Sequence, residues 1–149
     1  MYTAAVLERN SQLLLQYATR KAIDWVDFDS AMLMATPRGD ELPHHMTINL
    51  GKFDENLNSK DLLHKNCKLY VQNLTINEKM GVVAAKVRKA ATDEHENVET
   101  FNVVPHITIA LRKGVPPKKS NDMLESSSED NRVVYLTEEL ALDAYIQEC

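Results

Sequence analysis

The stretch PHHMTINLG, residues 43–51, has the alternation of apolar and polar side chains that is typical of a half-buried β-strand. Met46 separates His45 from Thr47, and the aliphatic Ile48 comes next. Successive side chains of a strand point to opposite faces. We therefore expect the imidazole and the hydroxyl on one face, and the apolar residues at 46, 48 and 50 on the other.

The same pattern returns in VPHITIAL, residues 104–111, where His106 and Thr108 share one face. The expected apolar face here consists of residues 107, 109 and 111. If the two strands lie side by side, two imidazoles and two hydroxyls face one cleft. One imidazole can then accept a proton while the other donates one. The hydroxyls can donate hydrogen bonds to phosphoryl oxygens as charge builds there.

This constellation predicts a phosphodiester site, with His45, Thr47, His106 and Thr108 as its catalytic residues. The chemistry requires neither a metal nor another cofactor, so we expect none. The alternative is that these polar residues simply occupy the solvated face of an antiparallel sheet. That interpretation would be preferred for one copy of the pattern, but two matched copies favour a site.

Composition limits the class of protein. The chain has 149 residues, which suits one domain spanning 1–149. Its net charge of −5 disfavours binding to long nucleic acid but allows a small anionic ligand. Two cysteines make no disulfide framework, and no window has the roughly 18 consecutive apolar residues of a membrane span. Without a signal-peptide pattern at the start, a cytoplasmic location is expected.

The predicted elements mix strands and helices without a strict βαβ rotation, which favours an α+β fold with antiparallel sheets. A strand over Tyr2–Leu7 precedes a helix whose buried face is expected to include Leu14 and Tyr17. Two further strands, joined through NEKMG at 77–81, form a hairpin. RVVYL at 132–136 and LALDAYI at 140–146 supply two final strands.

Residues 112–131 form the longest stretch without a clear pattern, and a flexible loop or lid is predicted there. Arg112 and Lys113, directly after the second motif, are candidates to hold a substrate phosphate. A solvated loop whose charges have no such role is an equally good interpretation of this segment.

HMTI at 45–48 and HITI at 106–109 resemble the paired motifs of the two-histidine (2H) phosphoesterase superfamily. This resemblance implies a bilobal α+β fold with pseudo-twofold related halves, whose motifs face each other across a central cleft. It also implies cleavage of 2′,3′-cyclic phosphates or oligonucleotide linkages, usually without metal. The four motif residues would carry the catalysis.

Within the superfamily, the length and the HHMTINLG context are most similar to phage anti-CBASS nucleases. That resemblance implies a small cyclic di- or trinucleotide immune signal as substrate, no membrane or long nucleic acid as partner, and action in the host cytoplasm. A ribose 2′-hydroxyl would attack its own 3′-phosphate and open the 3′,5′ linkage. The resemblance further implies an aromatic residue near the C-terminus that stacks on a base, and Tyr145 is the candidate by position.

Two other functions stay open at this point. One is a 2′,3′-cyclic phosphodiesterase of RNA processing or repair, which would use the same four residues. The other is a non-catalytic protein that binds a nucleotide without cleaving it. Two complete motifs argue against a pure binder, because binding alone does not need both histidines.

Overall fold

The computed structural model describes residues 2–22, 45–50, 62–112, 114–126 and 128–149. Two helices and six strands are described in these ranges. In chain order they are β1 (Tyr2–Leu7), α1 (Arg9–Ala22), β2 (His45–Leu50), β3 (Asn66–Asn77), β4 (Val82–Ala91), β5 (His106–Leu111), α2 (Lys119–Glu125) and β6 (Arg132–Glu148).

The six strands form one closed barrel in the order β1-β2-β5-β4-β3-β6. Every pairing is antiparallel, so the expected combination of α+β elements with antiparallel strands is confirmed. Closure depends on β6, which pairs with β1 on one side and with β3 on the other. The division into two pseudo-symmetric lobes stays a prediction.

The sequence divided the C-terminal strand differently. RVVYL and LALDAYI were expected to be separate strands, but they belong to the single 17-residue strand Arg132–Glu148. The interruption lies instead in its pairing with β3, where the register shifts between Val71 and Asn73. The β3–β4 pairing is also irregular between Val71 and Leu74. Against β6 the extra residues are on β6 itself, where residues 136–139 lie opposite position 72 alone. Against β4 the extra residue is on β3, where positions 72 and 73 lie opposite position 86 and form a bulge in β3.

The main hydrophobic core confirms the expected alternation in both motif strands. Met46 and Ile48 of β2 and Ile107 and Ile109 of β5 are buried together in it. Leu111 departs from the expectation. The register of β4 against β5 shifts just before it, so Leu111 changes faces and joins a second cluster with Met123 of α2. The side chain of Leu50 lies outside the described residues.

Helix α1 buries a different face from the one expected. Leu14 and Tyr17 are exposed, whereas Ser11, Leu15 and Thr19 are buried. Leu15 belongs to the main core. The two polar residues on this face are satisfied locally: the Ser11 hydroxyl accepts the Asp143 backbone N–H, and the Thr19 hydroxyl donates to the Leu15 carbonyl. Because these hydrogen bonds satisfy both hydroxyls, α1 can bury the face that contains Ser11 and Thr19 in place of the more apolar face.

The segment at 112–131 contains an ordered element. Helix α2 packs against β4 and places Met123, with no exposed surface, beside Val82 and Ala84. Whether any part of this segment acts as a lid, and whether residues 1–149 make one domain, stay predictions. No helix in the described part of the chain is long and apolar enough to cross a bilayer.

Candidate active site

The two motifs meet because their strands are neighbours. Met46 of β2 lies directly across from Ile107 of β5 in an antiparallel pair. This register sets position 45 across from 108 and position 47 across from 106. Since facing residues of a pair share one face of the sheet, both histidines and both threonines lie on the face opposite the main core. We call this the site face.

On the site face the two histidines are diagonal neighbours. Residues in this relation on an antiparallel pair have backbones about 7–8 Å apart, within reach of long side chains. Each imidazole also has the threonine of the other motif directly across from it. The arrangement brings together all four residues named from the sequence. Two imidazoles and two hydroxyls on one face are groups that can transfer protons to and from a phosphoryl group and bind its oxygens.

The imidazole of His106 is held in one tautomer. Its Nδ1 lies 2.8 Å from the Val104 carbonyl oxygen. Because a carbonyl can only accept, Nδ1 must carry the proton, and in the neutral ring Nε2 keeps its lone pair. Burial lowers the pKa of His106, which the hydrogen bond to Val104 and the nearby Glu125 carboxylate only partly offset. The ring is therefore neutral at pH 7, and its Nε2 is ready to accept a proton.

The sequence predicted that His106 faces a cleft, and the residue is more deeply covered than its motif alone indicated, with only 8% of its surface exposed. Helix α2 packs on the site face of β4, where its Met123 forms the second hydrophobic cluster with Val82 and Ala84. The covering segment, which the sequence showed only as an irregular stretch, explains both the burial and the lowered pKa.

Helix α2 also supplies a polar contact to the second motif. The Thr108 hydroxyl lies 2.7 Å from the hydroxyl of Ser120, which is completely buried. Either oxygen can donate in this pair. If Ser120 donates, the Thr108 hydroxyl hydrogen is free to point at a phosphoryl oxygen. The contact holds the Thr108 side chain against α2, which packs on β4 through the apolar side chain of Met123.

The first motif has an aromatic neighbour. The ring of His45 lies 5.2 Å from the ring of Tyr2, tilted by 34°. Both side chains are partly exposed. Tyr2 thus restricts the orientation of the His45 imidazole from the β1 side while the ring stays accessible to a ligand.

Tyr145, the proposed base-stacking residue, shares the site face. Val6 of β1 lies across from His45 on one side and across from Tyr145 on the other. Two strand spacings, about 10 Å, therefore separate the Tyr145 and His45 backbones. The Tyr145 hydroxyl is 3.2 Å from Nδ1 of His64. The stacking role of the Tyr145 ring stays a prediction.

The two proposed phosphate-binding cations are not both at the site. The Arg112 guanidinium donates to the Glu78 carbonyl at 2.6 Å, in the turn between β3 and β4. Residue 112 follows the far end of β5, so about 20 Å of extended backbone separates it from His106. Lys113 lies outside the described residues. Among the described residues, Lys86 of β4 lies directly across from His106.

Three neighbours of the motifs were not singled out as site residues from the sequence. Ser120 lies in a stretch without periodicity, so no local signal pointed to it. Lys86 alternates with buried residues along β4, which showed that it faces away from the core but not what it faces. Tyr2 was predicted at the start of the first strand, which does not show what its ring contacts. Each becomes visible only when the strand order is known.

Within the ranges that the structure describes, no group of three histidine, cysteine or acidic residues is placed to hold a metal ion. The site's polar groups are imidazoles, hydroxyls and one amine. These groups can transfer protons and bind phosphoryl oxygens.

Comparisons with known proteins agree with this geometry. The family model described as "Fungal tRNA ligase phosphodiesterase domain" matches residues 39–144, a range that contains both motifs. The structure also resembles one described as "Crystal Structure of Fungal RNA Kinase", with a TM-score of 0.59 and 14% sequence identity. The likeness covers 97% of this chain but 44% of that one, so this chain spans less than half of its structural relative. At this identity it shows a shared fold.

A comparison with curated proteins finds no match. The family match covers most of the chain, and it supports the resemblance to the 2H superfamily that the two motifs carried. The chain belongs to the fungal tRNA ligase phosphodiesterase domain family.

Proposed function

We propose that this protein is a 2′,3′-cyclic phosphodiesterase that acts on RNA ends in RNA processing or repair. The observation that carries the proposal is the register of β2 against β5, with Met46 across from Ile107. That register gathers both His-x-Thr motifs on one face. Membership of a tRNA ligase phosphodiesterase family favours an RNA end as substrate over the cyclic di- and trinucleotides expected from the sequence.

The proposed reaction opens the cyclic phosphate with water. His106 Nε2 accepts a proton from the water as its oxygen bonds to phosphorus. The bond from phosphorus to one ribose oxygen breaks, and the His45 imidazolium gives that oxygen a proton. The product is a ribose with one free hydroxyl and one phosphomonoester. Proton transfer by a positioned imidazole contributes about 10²–10⁴-fold to the rate.

His106 is assigned as the base because of its environment. Its Nδ1 proton is committed to the Val104 carbonyl, and burial favours the neutral ring. His45, which is more exposed and lies against Tyr2, is then left as the acid. Thr47 and Thr108 hold the nonbridging oxygens, whose charge increases in the transition state.

The same four residues could also promote attack by a ribose 2′-hydroxyl on its own 3′-phosphate. This is the route expected for the anti-CBASS activity on cyclic oligonucleotides. It requires a 2′-hydroxyl at the cleaved linkage, so a 2′-deoxy analogue should be inert. Hydrolysis of an existing 2′,3′-cyclic phosphate uses water as the nucleophile and needs no free ribose hydroxyl. The requirement for a 2′-hydroxyl therefore distinguishes the two activities.

The test is to incubate the protein in EDTA with RNA that ends in a 2′,3′-cyclic phosphate and, in parallel, with a panel of cyclic di- and trinucleotides. Products are separated by chromatography. We expect conversion of the RNA end to a phosphomonoester and little change in the cyclic oligonucleotides. Preferential cleavage of a cyclic oligonucleotide would favour the anti-CBASS function instead. Tight binding of either ligand without any product would favour the non-catalytic binder.

A further inference from the structure

A cavity of about 330 Å³ opens beside the candidate active site. Its lining includes Gln72 and Asn73 of β3, Lys86 and Arg88 of β4, and Val104 and Pro105. Val104 is the residue whose carbonyl binds His106, and Lys86 lies across from His106. The cavity therefore begins next to the ring that we assign as the base. Its volume is at the lower end of the range for small-molecule sites, about 300–1,000 Å³.

Two polar side chains of the lining already have partners. Arg88 donates two hydrogen bonds to the Glu139 carboxylate, at 2.6 and 2.9 Å, and its guanidinium lies 5.9 Å from the centre of the Tyr70 ring. Gln72 also hydrogen-bonds to Glu139 and helps to lower the pKa of that carboxyl. This network forms a fixed wall of the cavity.

Two other polar groups of the lining are unmatched. The Asn73 Oδ1 is buried and has no hydrogen-bond partner among the described residues. Such an orphan acceptor is unfavourable unless a ligand or water supplies a donor. Lys86 is exposed and makes no ion pair within the described part of the chain. A buried acceptor and an exposed cation in the lining of one cavity match a ligand that has an N–H donor and a phosphate.

The bulge in β3 explains why Asn73 is in this position. In the pairing with β4, positions 72 and 73 of β3 lie between the pairs Val71–Val87 and Leu74–Ala85, opposite position 86 alone. Extra residues in a bulge leave the regular alternation and re-aim their side chains. Val103 also lines the cavity and is 80% exposed. An open apolar side chain of this kind can pack on the flat face of a base.

We propose that this cavity is a nucleoside subsite for the nucleotide attached to the reacting phosphate. An N–H group of the nucleobase donates to Asn73 Oδ1, the base packs on Val103, and Lys86 binds the backbone phosphate on the 5′ side. This inference rests on the proposed function for its substrate class. It adds a site that distinguishes an RNA end from a bare cyclic phosphate.

The test uses titration calorimetry on the 149-residue chain with ribodinucleotides that carry a 3′-terminal phosphate. Inorganic phosphate serves as a probe without a base. Asn73→Leu keeps the branched shape of the side chain but removes the acceptor, so we expect about 3- to 10-fold weaker dinucleotide binding and unchanged phosphate binding. Lys86→Ala should weaken dinucleotide binding and reduce its salt dependence by about 0.7 in the log–log slope.

Lys79→Ala is the matched control, because it removes an exposed cation from the β3–β4 turn, where the ion pair of Lys79 is with Asp130. It should leave dinucleotide binding unchanged. Thermal unfolding checks that Asn73→Leu folds, and its midpoint should not fall, since the replaced oxygen is unpaired. If Asn73→Leu proves unstable, Lys86→Ala still decides, because an exposed lysine is tolerant of truncation.

The two proposals fail in different ways. Wild-type-like binding of all dinucleotides by both Asn73→Leu and Lys86→Ala would overturn the subsite, even if the enzyme hydrolyses cyclic phosphates. Binding that depends on Asn73 without any hydrolysis would support the subsite and overturn the catalytic proposal. Failure of the wild-type chain to bind any dinucleotide would overturn the subsite.

Discussion

The Nδ1 atom of His106 donates to the carbonyl of Val104, two residues earlier in the chain, at 2.8 Å. This contact fixes which nitrogen faces the site and leaves Nε2 to accept a proton. It also ties the imidazole to a residue that lines the neighbouring cavity. The predictions below follow from this ring and the residues around it.

Removing either imidazole should abolish most of the activity. His45→Ala and His106→Asn are each expected to lower kcat by about 10²–10⁴-fold, because each loses one proton-transfer group. Asparagine is chosen at 106 because its amide N–H can replace Nδ1–H toward Val104. Rates are measured on RNA that ends in a cyclic phosphate.

The matched control for these substitutions is His95→Ala, which removes an imidazole from the loop after β4. It should keep wild-type activity. Full activity in either His45→Ala or His106→Asn would contradict the assigned mechanism.

The pH dependence of activity follows from the lowered pKa of His106. The base works in its neutral form. We therefore expect kcat/KM to stay constant as the pH falls through 6.5, the ordinary pKa of histidine, and to decrease only at lower pH. Initial rates between pH 4.5 and 8 measure this acid limb of the pH profile. An acid limb centred above pH 6.5 would mean that the base is not a desolvated imidazole.

The same shift affects stability. Below pH 6.5 an unfolded histidine takes up a proton, whereas buried His106 resists protonation until the pH reaches its lower native pKa. The contribution of His106 is therefore fully present above 6.5 and is lost as pH falls through that window. Urea titrations should show that His106→Asn has a shallower decline of unfolding free energy between pH 6.5 and 5. Equal slopes for the two proteins would refute this linkage.

Ser120 should act as a positioning residue for Thr108. Ser120→Ala leaves the Thr108 hydroxyl without this partner, so we expect kcat to fall about 3- to 10-fold and the free energy of unfolding to fall by about 1 kcal/mol. KM should change little, since Ser120 is buried and reaches the substrate only through Thr108.

Ser126→Ala gives the comparison for Ser120. It also removes the hydrogen bond of a serine hydroxyl, here to the Met123 carbonyl at the C-terminal end of α2. A similar kcat for both variants would show that Ser120 has a structural role alone.

The turn that begins β4 should be sensitive to a single methyl group. Gly81 has φ of +76°, and a Cβ atom there would lie 2.7 Å from the Arg112 Cβ. Gly81→Ala therefore meets both a strained backbone and a steric clash. Gly114→Ala at φ of +89° has open space around its Cβ position, so it meets the strain alone.

For Gly114→Ala we expect a loss of about 1–2 kcal/mol in unfolding free energy, and a larger loss for Gly81→Ala. Chemical denaturation of the two variants measures the difference. Equal losses would mean that the Arg112 side of the turn relaxes without cost.

The sequence alone determined which residues could do chemistry and which way they face. Period-two alternation put His45 and Thr47 opposite Met46, and the structure confirms this because the core of a sheet accepts only one face of each strand. It also indicated mixed helices and antiparallel strands. The alternation of faces is a local property, because it is fixed by the side-chain period of a strand.

Tertiary structure decided everything that depends on which strand is next to which. The pairing of Met46 with Ile107 joins motifs that are 61 residues apart in the chain (107 − 46 = 61), and no local pattern specifies it. The burial of His106, the Ser120 contact and the orphan oxygen of Asn73 follow from α2 and from the bulge in β3. They arise from packing between distant segments, whereas alternation records only the face of a strand that turns toward the core.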